Sequence, residues 1–304
     1  MGDPAGHAVR PIQSSMIDQL LCILPGHART RIAGAVAADG ALRSQSLQPS
    51  RVIDNAQAGA VESAISAALQ GLDAARSAIV YCPVGQSAAA RITPLLTRPG
   101  LPRLIQLGTT SGPSTEVIPQ ATAAKGVGVD RLLVALAAHR YSRQACLVVD
   151  AGAVINIDYI DAYGVLQGGV QAPGVSAMLR AYAEATGTGA IDASTVGKGG
   201  PDAALAQSPA AGVLLGCTTA ARGFVRLQLE RVAEQVGVYP RLVATGDDAV
   251  LLFEHDDVVE NIVPDLGMLG MLESFRILTG LATQEERLAP SPIDAENEGE
   301  EQDD

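Results

Sequence analysis

Four short segments of this 304-residue chain carry the residue types that phosphate chemistry uses. Val148-Val149-Asp150-Ala151-Gly152 ends an apolar run in a carboxylate and a glycine, and Gly128-Val129-Asp130-Arg131 opens a helix-forming stretch with a carboxylate in its first turn. Gln171-Ala172-Pro173-Gly174 and Thr245-Gly246-Asp247-Asp248 each place glycine directly after a strand-like run. Phosphoryl transfer asks a protein for glycine turns whose N–H groups approach phosphate, carboxylates that hold cations, and a group to receive the proton of the attacking hydroxyl. Taken singly, Asp150-Ala151-Gly152 also fits an ordinary hairpin. Asp130 by itself also fits a helix-dipole partner worth ~0.3–1 kcal/mol. Four such points at strand ends and helix starts are harder to dismiss, because open α/β sheets bind ligands beyond the carboxyl ends of their strands.

The elements that must position these residues follow a repeated grammar. Residues 20–24 are apolar, Pro25-Gly26-His27 breaks the run, 29–36 alternate, Asp39-Gly40 turns, and 41–47 are expected to close a third strand. Later, 147–150 are apolar, Ala151-Gly152 breaks the run, 155–160 and 165–171 read as strands, and Tyr163-Gly164 turns between them. Gly26 and Gly152 lie 126 residues apart, and Gly40 and Gly164 lie 124 apart, which points to an internal duplication. Helical spacing over 56–72 and 86–96 alternates with strand-like runs at 78–82 and 103–107. In the second half Pro173 is expected to start a helix to about 185 and Pro201 a long one to about 236. A strand is expected at 241–244, a closing helix at 266–278, a loop at 186–200, and a helix at 128–139 between the halves. The expected fold is α/β, with duplicated ribonuclease H-like βββαβαβ domains around a cleft, the acetate kinase/Hsp70/actin architecture. Its expected boundaries are a disordered N-terminus at 1–16, domains at 17–125 and 126–280, and an acidic disordered tail at 281–304.

Composition narrows the function classes. Apolar residues make up 47% with no Trp and three Phe, so the core must be built from Ala, Val, Leu and Ile. The net charge of −12 is uneven: the last twenty residues hold nine acids against Arg287, leaving about −4 on the rest. Such a chain repels polyanions, so nucleic acid is not an expected partner. No apolar run reaches 18 residues and no basic stretch precedes an apolar one at the N-terminus, which predicts a cytoplasmic protein without membrane contact. Cys22, Cys82, Cys146 and Cys217 have no metal-binding spacing and read as reduced core thiols.

In order, GVDR, VVDAG, GGVQAPG and ATGDD resemble the GxDR, DxGTA, GGxIxPG and TGGD series of the type III pantothenate kinases, across about residues 20–278. The resemblance implies ATP-dependent phosphorylation of pantothenate, the first step of coenzyme A synthesis, by a homodimer using Mg²⁺ and a monovalent cation, K⁺ or NH₄⁺. Asp130 matches the family's catalytic base, and Gly128, Val129 and Arg131 match its substrate-binding neighbours. Asp150 matches the monovalent-cation ligand. Gly26, His27 and Arg29 of the first loop, with Gly152, Ala153 and Gly246, match the nucleotide contacts.

Five positions depart from that pattern. The family's DxGNTR loop aligns with Leu24-Pro25-Gly26-His27-Ala28-Arg29, so Leu24 replaces the Mg²⁺-associated Asp and Ala28 the phosphate-contacting Thr. Ala153 replaces a Thr that contacts ATP, Gly200 a Thr that contacts substrate, and Asp247 a glycine. Mg²⁺ prefers oxygen ligands, so His27 also reads as a plain loop histidine. These losses leave open a catalytically impaired paralogue with a binding or regulatory role, and a sugar kinase of the same superfamily is a third reading.

Overall fold

The computed structural model describes residues 17–38, 40–108, 122–191 and 204–281. Asp39, Gly200, Pro201, the expected disordered N-terminus, the expected tail beyond residue 281 and most of the expected 186–200 loop lie outside them.

Strand β1 (Gln19–Pro25) pairs antiparallel with β2 (Arg29–Val36), and β2 pairs antiparallel with β3 (Arg51–Asp54). On the other side β4 (Ser77–Tyr81) runs parallel to β1, and β5 (Arg103–Gln106) parallel to β4, giving the order β3-β2-β1-β4-β5. Helices α1 (Ala58–Gln70) and α2 (Gln86–Leu96) make the crossovers. The second sheet repeats the plan. Strands β6 (Cys146–Ala151), β7 (Val154–Ile160) and β8 (Leu166–Pro173) form the antiparallel meander. Then β9 (Arg241–Thr245) and β10 (Asn261–Ile262) add in parallel, in the order β8-β7-β6-β9-β10. Helices α4 (Val175–Thr186), α5 (Pro209–Val236) and α6 (Ala249–Phe253) fill the second half. The two sheets are therefore duplicated ribonuclease H-like units, the actin-like arrangement the sequence led us to expect. Gly40 and Gly164 occupy matching turns with φ of +76° and +78°.

Alternation along the strands divides the core into three layers. On β1, Leu20 and Cys22 face a central core, while Leu21 and Ile23 face an outer one with α1 and α2. On β6, Val148 faces the centre, and Leu147 and Val149 face α4 and α5. The central layer is made by α3 (Val129–Ser142) against α7 (Leu266–Leu278), with Phe275 and Leu133 fully buried. Close crossing is possible because a Cβ on Gly270 would stand 2.1 Å from the carbonyl oxygen of Leu133. Helix α7 reaches across to β1 and β4 of the first sheet, whereas α3 packs on β6 and β7 of the second. The helices that follow each unit thus tie the two halves together.

Two expected elements are misplaced. Residues 41–47 do not close the first meander: Leu42 is buried, 44–46 form a short 3-10 turn, and β3 begins only at Arg51. Its pattern misleads because Ile53 is its only buried residue. The long helix starts at Pro209 rather than Pro201, since Ser208 caps it by accepting from the N–H of Ala211, with Pro209 in the first turn. The short α6 and β10 had no sequence signal. Among the described residues no helix is long and apolar enough to cross a membrane.

Candidate active site

The two halves meet at a cleft of about 160 Å³, framed by the β1–β2 and β6–β7 turns and the start of α3. The β1–β2 turn is closed by Gly26 N–H donating to Arg29 O at 2.9 Å. Asn55, just past β3, holds it from outside: its amide donates to Gly26 O at 2.9 Å, and its Oδ1 accepts from the buried Thr30 hydroxyl at 2.6 Å. His27, Ala28 and Arg29 are exposed on the rim. In the β6–β7 turn Gly152 N–H donates to Val154 O at 3.1 Å. Gly174 N–H donates to Ala153 O at 3.1 Å, and Asp248 N–H to Ala151 O at 2.8 Å, fixing the turn from both sides.

Asp150 stands next to last on β6, in the middle of the second sheet, between Asn156 of β7 and Thr245 of β9. Gly246, with φ of +98°, passes over it, where a Cβ would stand 2.6 Å from Asp150 Oδ1 and 2.3 Å from Ala151 O. No larger residue fits there. The Asp150 carboxyl is pushed up to about 7, first by burial and then by Asp130, with Arg31 opposing and Asp247 and Asp158 adding. A carboxyl so raised favours a nearby cation, which would restore its charged form.

Asp130 sits in the first turn of α3 and lines the same cleft. Its neighbour Arg131 turns away: Nε donates to both oxygens of Asp158, at 2.9 and 3.2 Å. The side chains of this pair are 13% and 4% exposed. Burial raises the Asp158 carboxyl and the Arg131 bonds pull it back. Asp158 is accommodated because a Cβ on Gly169 would fall 2.3 Å from its Oδ1.

Of the expected site residues, Gly26, His27, Arg29, Asp130, Asp150, Gly152, Ala153 and Gly246 line one cleft, although they come from four separate segments. Gly128, Val129 and Arg131 do not line it: Gly128 caps α3, Val129 is buried against Gly108, and Arg131 is held by Asp158. Leu24 and Ala28 line the cleft where the resemblance has Asp and Thr. Arg31, Asn156 and Asn55 were missed. Arg31 was readable as the second outward position after Arg29 on the alternating β2, but Asn55 was hidden by the misplaced third strand.

A sequence model of type III pantothenate kinases matches residues 29–231, about two thirds of the chain. The chain belongs to the type III pantothenate kinase family. Relatives named type III pantothenate kinase include one from Azotobacter vinelandii, 36% identical over 148 residues, covering 48% of this chain and 58% of that protein. Another, from Akkermansia muciniphila, is 32% identical over 156 residues, covering 51% of this chain and 61% of that protein. The chain thus spans under two thirds of the length of the curated relatives it matches. Among solved structures, a conserved protein assigned to the Baf family, from Campylobacter jejuni, is 17% identical and matches the fold with a TM-score of 0.52. That match covers 84% of this chain and 98% of that one. Family membership and fold therefore agree with the duplicated-sheet topology.

Proposed function

We propose that the protein is an ATP-dependent pantothenate kinase that makes 4'-phosphopantothenate, the first step of coenzyme A synthesis. The observation that carries this reading is the convergence of Asp130, Asp150 and the two glycine turns on one cleft between the halves. Asp130 is the proposed catalytic base, accepting the proton of the pantothenate hydroxyl as that oxygen attacks the terminal phosphoryl group. Standing in the first turn of α3, it lies beside amides able to face an anion. Gly26, His27, Arg29, Gly152, Ala153 and Gly246 form the proposed nucleotide side of the cleft. Gly128, Val129 and Arg131 form the proposed substrate side, with Arg131 given a fixed orientation beside Asp130 by its contact with Asp158.

The residues present fit a monovalent cation at Asp150, whose buried carboxyl has neutral-range affinity for a proton and so gains from a positive partner. Among the described residues no cluster of three or more His, Cys, Asp or Glu could hold a metal. With Leu24 in the first loop, Mg²⁺ is expected to arrive with the nucleotide phosphates, where it would neutralise charge on the transferring group. A homodimer acting in the cytoplasm completes the reading. A coupled assay for ADP release, run with and without pantothenate, tests it. Pantothenate-dependent release in wild type that is lost in Asp130→Asn is expected; equal release in both proteins contradicts the assignment of Asp130.

A further inference from the structure

We propose that Arg29 and Arg31 form a seat for the phosphates of a polyphosphate ligand, and that Asp247 of this chain occupies that seat in the ligand-free protein. The inference rests on the nucleotide-handling reading above and deepens it. Arg29 and Arg31 stand two apart on β2, so both project from one face of the strand. They meet the two oxygens of a single carboxylate: Arg29 Nη1 lies 2.9 Å from Asp247 Oδ2, and Arg31 Nη2 pairs with Asp247 Oδ1. Two guanidiniums sharing the oxygens of one anion is the arrangement by which arginines take a phosphate.

The carboxylate arrives from the other half of the molecule, on the turn after β9, at the position where the family motif has glycine. Its side chain is 20% exposed, so it is drawn into the cleft rather than spread on the surface. Arg31 is also anchored independently. Its Nη1 donates to Asp265 Oδ1 at 2.6 Å, and Asp265 accepts from the Ser50 N–H at 2.9 Å. Removing Asp247 therefore leaves Arg31 in position with one edge of its guanidinium free. Asp130 and Asp150 line the same cleft, so an incoming polyanion meets three carboxylates while the arginines are occupied. A polyphosphate must displace Asp247 before it can use them, which sets this chain apart from a family member with glycine there.

Sodium tripolyphosphate in EDTA is the probe, titrated calorimetrically into the full-length wild type, Asp247→Gly and Asp247→Asn at low salt. Both variants are expected to bind it about tenfold tighter, about 1.4 kcal/mol, with the gain shrinking as salt rises. Arg31→Ala placed on Asp247→Gly should abolish the gain. Asn keeps the size of the side chain, so a folding failure of the glycine variant alone leaves the test intact. Binding no tighter than wild type in Asp247→Asn, or none in any protein, overturns the proposal. So does weaker MgATP binding in the variants without tighter tripolyphosphate binding, since Asp247 would then serve the metal. Pantothenate turnover is measured separately, so its absence would sink the kinase reading without deciding this one.

Discussion

Asp150→Asn tests the electrostatics at the floor of the cleft. In the folded protein its carboxyl is pushed from 3.8 up to about 7, by burial first and Asp130 next. Between those values the unfolded chain has lost this proton while the folded protein keeps it. The unfolded state therefore binds fewer protons, and stability falls as pH rises from about 4 to about 7, then levels off. At about 1.4 kcal/mol per pH unit, that interval bounds the loss at about 4 kcal/mol. The carboxyl opens onto the cleft and is screened by solvent, so about half of that, ~2 kcal/mol, is expected. Asn cannot ionise and removes the whole component. Urea unfolding near pH 5 and pH 8, in a buffer whose only cation is tetramethylammonium, captures the two units above pH 5 and should show wild type losing ~1.4 kcal/mol relative to the variant. Adding K⁺ near pH 8 should stabilise wild type and leave Asp150→Asn unmoved. Parallel pH profiles for the two proteins, or a variant that is less stable than wild type at the higher pH, would rule out a carboxyl raised by burial at Asp150.

Gly270→Ala places a Cβ 2.1 Å from the Leu133 carbonyl at the α3–α7 crossing, where the obstacle is backbone. A loss of about 1–3 kcal/mol in urea unfolding is expected, and an unchanged midpoint would contradict the packing described. Asp158→Ala strands Arg131, only 13% exposed, without its partner, and should cost about 3–5 kcal/mol. Pairing it with Arg131→Met should recover most of that loss in the same measurement; no recovery would mean the cost is not the uncompensated charge. Ser208→Ala removes the cap at the start of α5 and should lower stability by about 1 kcal/mol, with no change in midpoint arguing against the cap.

Much of the fold was legible because both halves write the same strand–turn–strand grammar, and α2 and α7 fall on their expected residues. The third strand was not. Its residues carry one inward side chain, so the alternation that reveals β1 and β6 is missing from Arg51–Asp54. The start of α5 misled for a different reason: two prolines competed, and the serine cap at Ser208 decided between them. In the cleft, glycines and carboxylates at strand ends were readable from motif spacing, and they do meet. The Arg131–Asp158 pair and the reach of Asp247 to Arg29 and Arg31 were not readable, because each joins residues far apart in sequence through tertiary packing. Sequence did not show that Arg131, a proposed substrate contact, is paired with the buried Asp158.

We propose that this cleft transfers a phosphoryl group to pantothenate with Asp130 as the base. Mass spectrometry of the product formed from pantothenate and MgATP in the presence of K⁺ tests it most directly. The wild-type protein is expected to yield 4'-phosphopantothenate, and Asp130→Asn of equal stability about a hundredfold less or lower still. Product formed equally by both proteins, or none by the wild type, would contradict it.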